Sequence, residues 1–389
     1  MISIRGGLLG AFAAIAMYAL PVGAGNEPET VVQRLLAPPI IKPETGFKAT
    51  VLVPPGHMYD PGSLVPSGRA IWINDDGGED GEHGGRIFSV TRAGVVSTLV
   101  DIDRLLPIVG FDVAPPSFGA FGGKILALAQ PRAGLQGSVE NHVILQIDPH
   151  SHAPASRVCT LPAHGPVNGG VAGAGAAAHF GPAGSRFAGK FFALTILNGT
   201  IYQMSAAGVC EPFVTFDGNP WGAPFDFSFS SDGSRMIVSV SKGNLSFGEQ
   251  GNFSSEGFER KTLSNLGGAI VAVSPEGAID AQPLVQGLRR PFSVRVAPAS
   301  MRQFGGEIFF VDMGEMQVPV PMTQPLKPDG LVYRVSKDGQ VHVVAAGFIN
   351  PGSLLFVDDR TIWISDINGD FIGGRRELPD GFIVKLELQ

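Results

Sequence analysis

Residues 112–126 read DVAPPSFGAFGGKIL, and residues 295–309 read RVAPASMRQFGGEIF; the two stretches align without a gap at an offset of 183 residues. Outward from this pair, the pattern Gly-x-Ile/Val-aromatic-x-Val/Met-x-x-x-Gly recurs at Gly85, Gly199, Gly330 and, with Val for the aromatic, Gly268. Asp60-Pro-Gly-Ser-Leu64 returns as Asn350-Pro-Gly-Ser-Leu354 after 290 residues. Self-similarity on this scale fixes an architecture before any single element is assigned. The offsets divide into three units of about 61 residues and five of about 58, two independent measures of one period.

Each unit reads as four short strands. A small, apolar inner strand (PGSLVP, GFDVAP, APFDFSFS, PFSVRVAP) leads through a Gly-containing turn to a second strand: AIWIND, KILALAQ, KFFALTI, RMIVSVS, EIFFVD or TIWISD. A loop and a third strand follow (GRIFSV, VILQID, GTIYQM, AIVAVS, LVYRVS, FIVKLE), then an Ala-Gly or Asp-Gly turn and a fourth strand such as VVSTLVD or VHVVAAG. Short β-branched runs punctuated by Gly, Pro and Asp are strand and hairpin signals. Six such units, starting near Pro61, Phe111, Gly169, Pro224, Pro291 and Pro351, predict an all-β, six-bladed β-propeller. The sixth unit ends after its third strand, while GFKATVLVP at 46–54 has the pattern of a spare fourth strand. The expectation is that this strand completes the last blade and closes the ring, burying an edge that would otherwise seek a partner.

The ends and the composition set the expected setting. Arg5, the apolar run 7–20 and the small-residue segment Pro21–Ala24 read as a cleaved signal peptide over 1–24, followed by an extension over 25–45 and one propeller domain over 46–389. The expected location is the periplasm or the exterior. No later run offers about 20 apolar residues in a row, so no membrane span is expected in the mature chain. Removing Arg5 takes the net charge from −7 to −8, and an acidic chain has no electrostatic footprint for nucleic acid. The 53 Gly and 31 Pro fit many tight turns between strands too apolar for disorder. Two cysteines in an exported chain invite a disulfide, but Cys159 and Cys210 begin outermost strands of neighbouring blades, and diverging outer strands weigh against a bond; a Cα separation within about 7 Å decides it.

Charge concentrates in the loops after the second strands. Asp75, Asp312 and Asp366 align at the ends of second strands on units that become neighbours once the ring closes, beside Asp60, Asp76, Glu79, Asp80, Glu82, Glu315 and Asp370. Oxygen clusters suit a hard cation, so Asp60, Asp75, Asp312 and Asp366 are the candidate ligands for Ca²⁺ or another divalent cation. Each Asp could equally cap a tight turn by accepting backbone N–H bonds. His57, His83 and Asp226 are the candidate acid–base residues. Two long loops, from Lys242 to Gly267 and from Gly314 to Asp329, could roof the channel or meet a partner.

The blade pattern resembles the six-bladed group of SMP-30/gluconolactonase-like, NHL-like and soluble sugar (sorbosone-type) dehydrogenase propellers. FDFSFSSDGSRMIVSVSKGN (225–244) is similar to an inner-strand, turn and second-strand unit of the lactonase-like family. That family's metal-ligand places read here as Asp60-Pro-Gly, Pro224-Phe225-Asp226 and Pro291-Phe292-Ser293, with Asp60 able to stand in for a family ligand. Gly287-Leu-Arg289-Arg290-Pro291 is similar to the Gly-x-Arg-Asn-Pro element that lies against the quinone (PQQ) in sugar dehydrogenases; Arg289 matches and Arg290 replaces the Asn. The resemblance implies an exported, monomeric small-molecule-binding propeller, with three readings open. One is a divalent-metal-dependent lactone or ester hydrolase. The second is a quinone-dependent sugar dehydrogenase with Arg289 at the cofactor. The third is a non-catalytic propeller that binds a small molecule or an envelope protein.

Overall fold

The computed structural model describes residues 39–75, 85–102, 106–129, 142–151, 153–161, 177–195, 199–216, 218–241, 267–313, 328–367 and 379–389. The signal-peptide segment and the loops 242–266 and 314–327 lie outside them.

The strands assemble into six antiparallel sheets arranged as a closed ring. Ahead of the first blade come β1 (Lys42–Pro43) and β2 (Phe47–Met58). Blade one is β3 (Pro61–Ser67), β4 (Ala70–Asp75), β5 (Arg86–Thr91) and β6 (Val96–Asp101). Blade two is β7 (Ile108–Val113), β8 (Ile125–Ala129), β9 (Val143–Ile147) and β10 (Ser156–Thr160). Blade three is β11 (Ala177–Phe180), β12 (Lys190–Leu194), β13 (Thr200–Ser205) and β14 (Cys210–Thr215). Its inner strand begins at Ala177, later than the Gly169 read from the sequence, which lies outside the described residues. Blade four is β15 (Ala223–Phe229), β16 (Met236–Ser241), β17 (Gly268–Val273) and β18 (Val285–Leu288). Blade five is β19 (Pro291–Val296), β20 (Ile308–Asp312), β21 (Gly330–Val335) and β22 (Val341–Phe348). Blade six is β23 (Pro351–Phe356), β24 (Thr361–Asp366) and β25 (Gly381–Leu388), completed by β2.

Closure follows the sequence pattern closely. Phe47 pairs with Leu388, Val51 with Val384 and Val53 with Ile383, so strands from opposite ends of the chain share one sheet. A further strand was not foreseen: β1 adds to the outer edge of blade five, with Lys42 opposite Ala346. Part of the N-terminal extension is thus sheet rather than linker, and it covers an otherwise open edge.

The core explains why the ring holds. Among the described residues the buried apolar side chains fall into six clusters, and each fills one seam between neighbouring blades. The seam between blades six and one joins Trp363 and Ile383 to Leu64 and Ile73; that between blades three and four joins Phe192 and Leu194 to Phe227 and Val238. Strand alternation puts one apolar face of each blade against each neighbour, so every blade is buried on both sides.

Two local devices repeat from seam to seam. Gly268, Gly330 and Gly381 open third strands, and a Cβ on each would lie 2.3–2.6 Å from the ring Cδ of the proline that opens the next blade: Pro291, Pro351 and Pro61. At Gly268 and Gly330 the glycine of the recurring signature is therefore a packing requirement at blade contacts. One or two residues before the end of the second strand, Asn74, Ser239 and Ser365 donate side-chain hydrogen bonds to the carbonyls of Ile108, Phe292 and Gly62 on the following inner strand.

The 183-residue repeat is also structural. Both copies place a short 3₁₀ turn (Gly119–Phe121 and Arg302–Phe304) before a glycine in the left-handed region, Gly123 at φ 77° and Gly306 at φ 83°.

Cys159 and Cys210 form a disulfide, with Cα atoms 6.4 Å apart. This corrects the expectation from diverging outer strands. Cys159 opposes Ile144 on β9, next to a register shift in β10, and Cys210 opposes Met204 at the start of β14. At this place the outer strands of blades two and three remain within bridging distance.

Candidate functional site

The aspartates proposed as cation ligands are positioned by the prolines opposite them. Asp75, Asp312 and Asp366 pair in register with Pro61, Pro291 and Pro351, the residues that open three inner strands. Proline donates nothing to the ladder, and the two residues before it leave the sheet with their N–H groups exposed to the interior. The carboxylates satisfy them. Asp75 accepts from the N–H of Tyr59 (3.1 Å) and Asp60 (2.9 Å); Asp366 accepts from Ile349 (2.8 Å) and Asn350 (2.9 Å). Asp312 accepts from the Arg290 N–H (3.2 Å) and from the Arg289 guanidinium (3.0 Å). The three acids are buried and do converge on neighbouring blades, yet each faces the backbone at the start of its own blade. Asp60 contributes its N–H to this arrangement. Turn capping, the simpler reading of these residues, is what the geometry realises for Asp75, Asp312 and Asp366. Among the described residues no group of three or more His, Cys, Asp or Glu side chains is disposed to hold a metal ion.

The quinone-like element fares similarly. Arg289 is held by Asp312, by the carbonyl of Asp329 (2.9 Å) and by the Asp329 carboxylate (3.7 Å). Arg290, which replaces the Asn, is buried. A guanidinium already engaged by two carboxylates does not fit the role that Arg289 would have against a quinone.

His57 lies on the irregular end of β2, exposed, rather than in a free loop. His83, Asp76, Glu79, Asp80, Glu82, Glu315 and Asp370 lie outside the described residues. Asp226 is the candidate that acquires company.

The register of the six inner strands defines a belt. The residues opposite the third position of each second-strand run (Trp72, Leu126, Phe192, Ile237, Phe309 and Trp363) are Val65, Asp112, His179, Ser228, Arg295 and Leu355, from blades one to six. Blades six and one contribute aliphatic side chains, whereas blades two to five contribute polar ones. Asp226 stands two residues before Ser228, on the same face of β15. Its Oδ2 accepts from Ser293 Oγ (2.7 Å), from the Val294 N–H (3.2 Å) and from the Arg295 guanidinium. Its Oδ1 accepts from the Phe227 N–H (2.7 Å) and lies 3.5 Å from His179 Nε2. That last separation is long for a hydrogen bond and within reach of an ion pair. The His179 ring is also held edge-on to Phe227, centroids 5.1 Å apart. Asp112, beyond His179, accepts from the N–H of Phe180 (2.8 Å) and Val113 (2.7 Å).

The two acids flanking His179 are tuned in opposite directions. Burial raises the Asp112 carboxyl above the ordinary range, against the opposing pull of His179 and two backbone N–H groups. Burial acts on Asp226 in the same sense, but Arg295, His179 and Ser293 outweigh it and hold that carboxyl below the ordinary range. Asp226 is thus a fixed anion. His179 and Arg295 keep 16% and 12% of their side-chain surface exposed, so the belt is not sealed in the core. An imidazole against a fixed carboxylate, on a rigid inner-strand scaffold, can take up and release a proton.

Sequence reading found Asp226 and missed its partners. The signal was present in the founding alignment: at offset 183, Asp112 is matched by Arg295, opposite charges at one position of the repeat.

No family model and no curated protein sequence matches the chain. Among solved structures it is similar to the PQQ-bound aldose sugar dehydrogenase of Streptomyces coelicolor, with a TM-score of 0.55 and 14% identity over 90% of this chain and 100% of that one. It is also similar to a Thermus thermophilus oxidoreductase described as a glucose dehydrogenase, with a TM-score of 0.51 and 14% identity over 88% of this chain and 100% of that one. A Xanthomonas campestris gluconolactonase gives a TM-score of 0.49 and 12% identity over 91% of this chain and 95% of that one. The class so defined is the all-β, six-bladed propeller, a fold shared at a distance with the two sugar dehydrogenase structures. At these identities the likeness is one of fold.

Proposed function

We propose that this chain is an exported, monomeric propeller that binds a hydroxyl-rich small molecule at the polar side of its central channel and acts on it by general acid–base chemistry. The reaction class is hydrolysis of a lactone or ester. His179 takes the proton from the attacking water and returns it to the leaving oxygen. Asp226 stabilises the imidazolium that forms in between, and Arg295 keeps Asp226 ionised.

One observation carries this reading: His179 Nε2 stands 3.5 Å from a carboxylate whose other oxygen is committed to Ser293, Val294 and Arg295. The test is turnover of D-glucono-1,5-lactone and a panel of sugar lactones and aryl esters by the purified chain, with and without chelator. The expected result is chelator-insensitive hydrolysis that falls about 10²–10⁴-fold in His179→Gln. Absence of turnover on the whole panel, or an unchanged rate in His179→Gln, would overturn it.

A further inference from the structure

A second polar site lies at the start of blade five, apart from the belt. Arg290 is 3% exposed, and its Nε, Nη1 and Nη2 have no hydrogen-bond partner among the described residues. Its own N–H is taken by Asp312 Oδ2, and the other oxygen of Asp312 is taken by Arg289, so the nearest carboxylate is already committed. Asp329 is engaged with Arg289 as well. Burial pulls the Arg290 guanidinium down to about 10, the attraction of Asp312 and Asp329 notwithstanding.

A second orphan lies nearby. Ser241 Oγ is fully buried and also lacks a partner among the described residues. Ser241 pairs with Gly268, and Gly268 packs against the ring of Pro291, the residue that follows Arg290. The seam between blades four and five thus presents a planar cationic fork with five N–H donors and a hydroxyl, all withdrawn from water and unspent.

A buried guanidinium without any partner costs several kcal/mol by general experience, and folds retain such a group when something outside the chain completes it. The other two proline-opened blades carry Asp60 and Asn350 at the position of Arg290, so the cation is not a requirement of the capping device.

We infer that Arg290, with Ser241, forms a binding site for a small oxyanion, the carboxylate or phosphate group of a small-molecule ligand. The fork geometry matches a planar carboxylate or two phosphate oxygens, and Ser241 Oγ supplies a further donor. The site shares no residue with His179 and Asp226, so failure of either reading leaves the other standing.

The test is isothermal titration of the full chain with inorganic phosphate, sulfate and acetate at constant ionic strength in an otherwise anion-poor buffer. The expected result is a saturable one-site isotherm for at least one of the three, with competition between those that bind. Preference for acetate would point to a carboxylate ligand and preference for phosphate to a phosphorylated one. Arg290→Met should weaken binding about 10-fold or more, with Arg290→Gln as the substitute where Met does not fold. No saturable binding to the native chain, or an affinity unchanged in a folded Arg290 variant, would overturn the inference.

Discussion

Gly268 and Pro291 touch across the seam between blades four and five so closely that a Cβ on the glycine would stand 2.3 Å from the proline Cδ. The same contact recurs between Gly330 and Pro351 and between Gly381 and Pro61, so three successive seams depend on one missing methyl group. In each case the proline also faces an aspartate at the end of its blade's second strand. Glycine, proline and aspartate therefore act as one unit that sets where a blade begins.

The first prediction concerns that unit. Gly268→Ala, Gly330→Ala and Gly381→Ala should each destabilise the chain by about 1–3 kcal/mol through overpacking. Chemical denaturation should show a lower midpoint with an unchanged slope.

The aspartates give a second prediction. Asp75→Ala and Asp366→Ala each remove an acceptor for two half-buried backbone N–H groups and should cost about 1–3 kcal/mol. The loss should be the same in calcium and in chelator, because the carboxylates hold backbone rather than metal. Stabilisation of the native chain by calcium that vanishes in Asp366→Ala would contradict this.

Much of the fold was legible before any coordinates. The two repeat offsets gave the period, and the match between 46–54 and fourth strands gave the closure, now seen as Phe47 opposite Leu388. Alternation and turn residues are local signals, so strands survive translation from sequence. The site was legible only in part, because its partners come from four blades. Asp226 meets Arg295 from blade five and His179 from blade three, and nothing local to His179 marks it. The capping role of the aspartates was hidden for a related reason. Three acids converging on neighbouring blades look alike whether they face the axis or the prolines beside them. The disulfide was likewise decided by where two outer strands approach, which spacing does not encode.

That disulfide carries the third prediction. It spans 51 residues, and the chain-entropy model assigns a loop of that length about 4 kcal/mol. Reduction, or Cys210→Ser, should lower the melting temperature and weaken the junction of blades two and three first. Hydrogen exchange in β10 and β14 should rise before exchange in β24 and β25.

The belt predicts opposite pH signatures for two acids. Asp226 has a depressed carboxyl, so its contribution to stability is present above about pH 4, the unfolded value, and is lost as pH falls through the lower folded value. Asp112 has a raised carboxyl, so the folded chain binds that proton more tightly, and stability falls as pH rises from about 4 through the folded value. Denaturation of Asp226→Asn and Asp112→Asn across pH 2.5–7 should therefore diverge. The native advantage over Asp226→Asn grows with pH at the acid end, and that over Asp112→Asn shrinks. Parallel curves would contradict the assignment.

If, as proposed, the His179–Asp226 pair carries the chemistry, the aspartates at the blade starts serve the fold alone. Lactone turnover and melting temperature, measured side by side in His179→Gln and Asp366→Ala, test it most directly. The expected result is a near-native melting temperature with lost turnover in the first, and a lowered melting temperature with native turnover per folded molecule in the second. Turnover retained in His179→Gln but abolished in folded Asp366→Ala would contradict it.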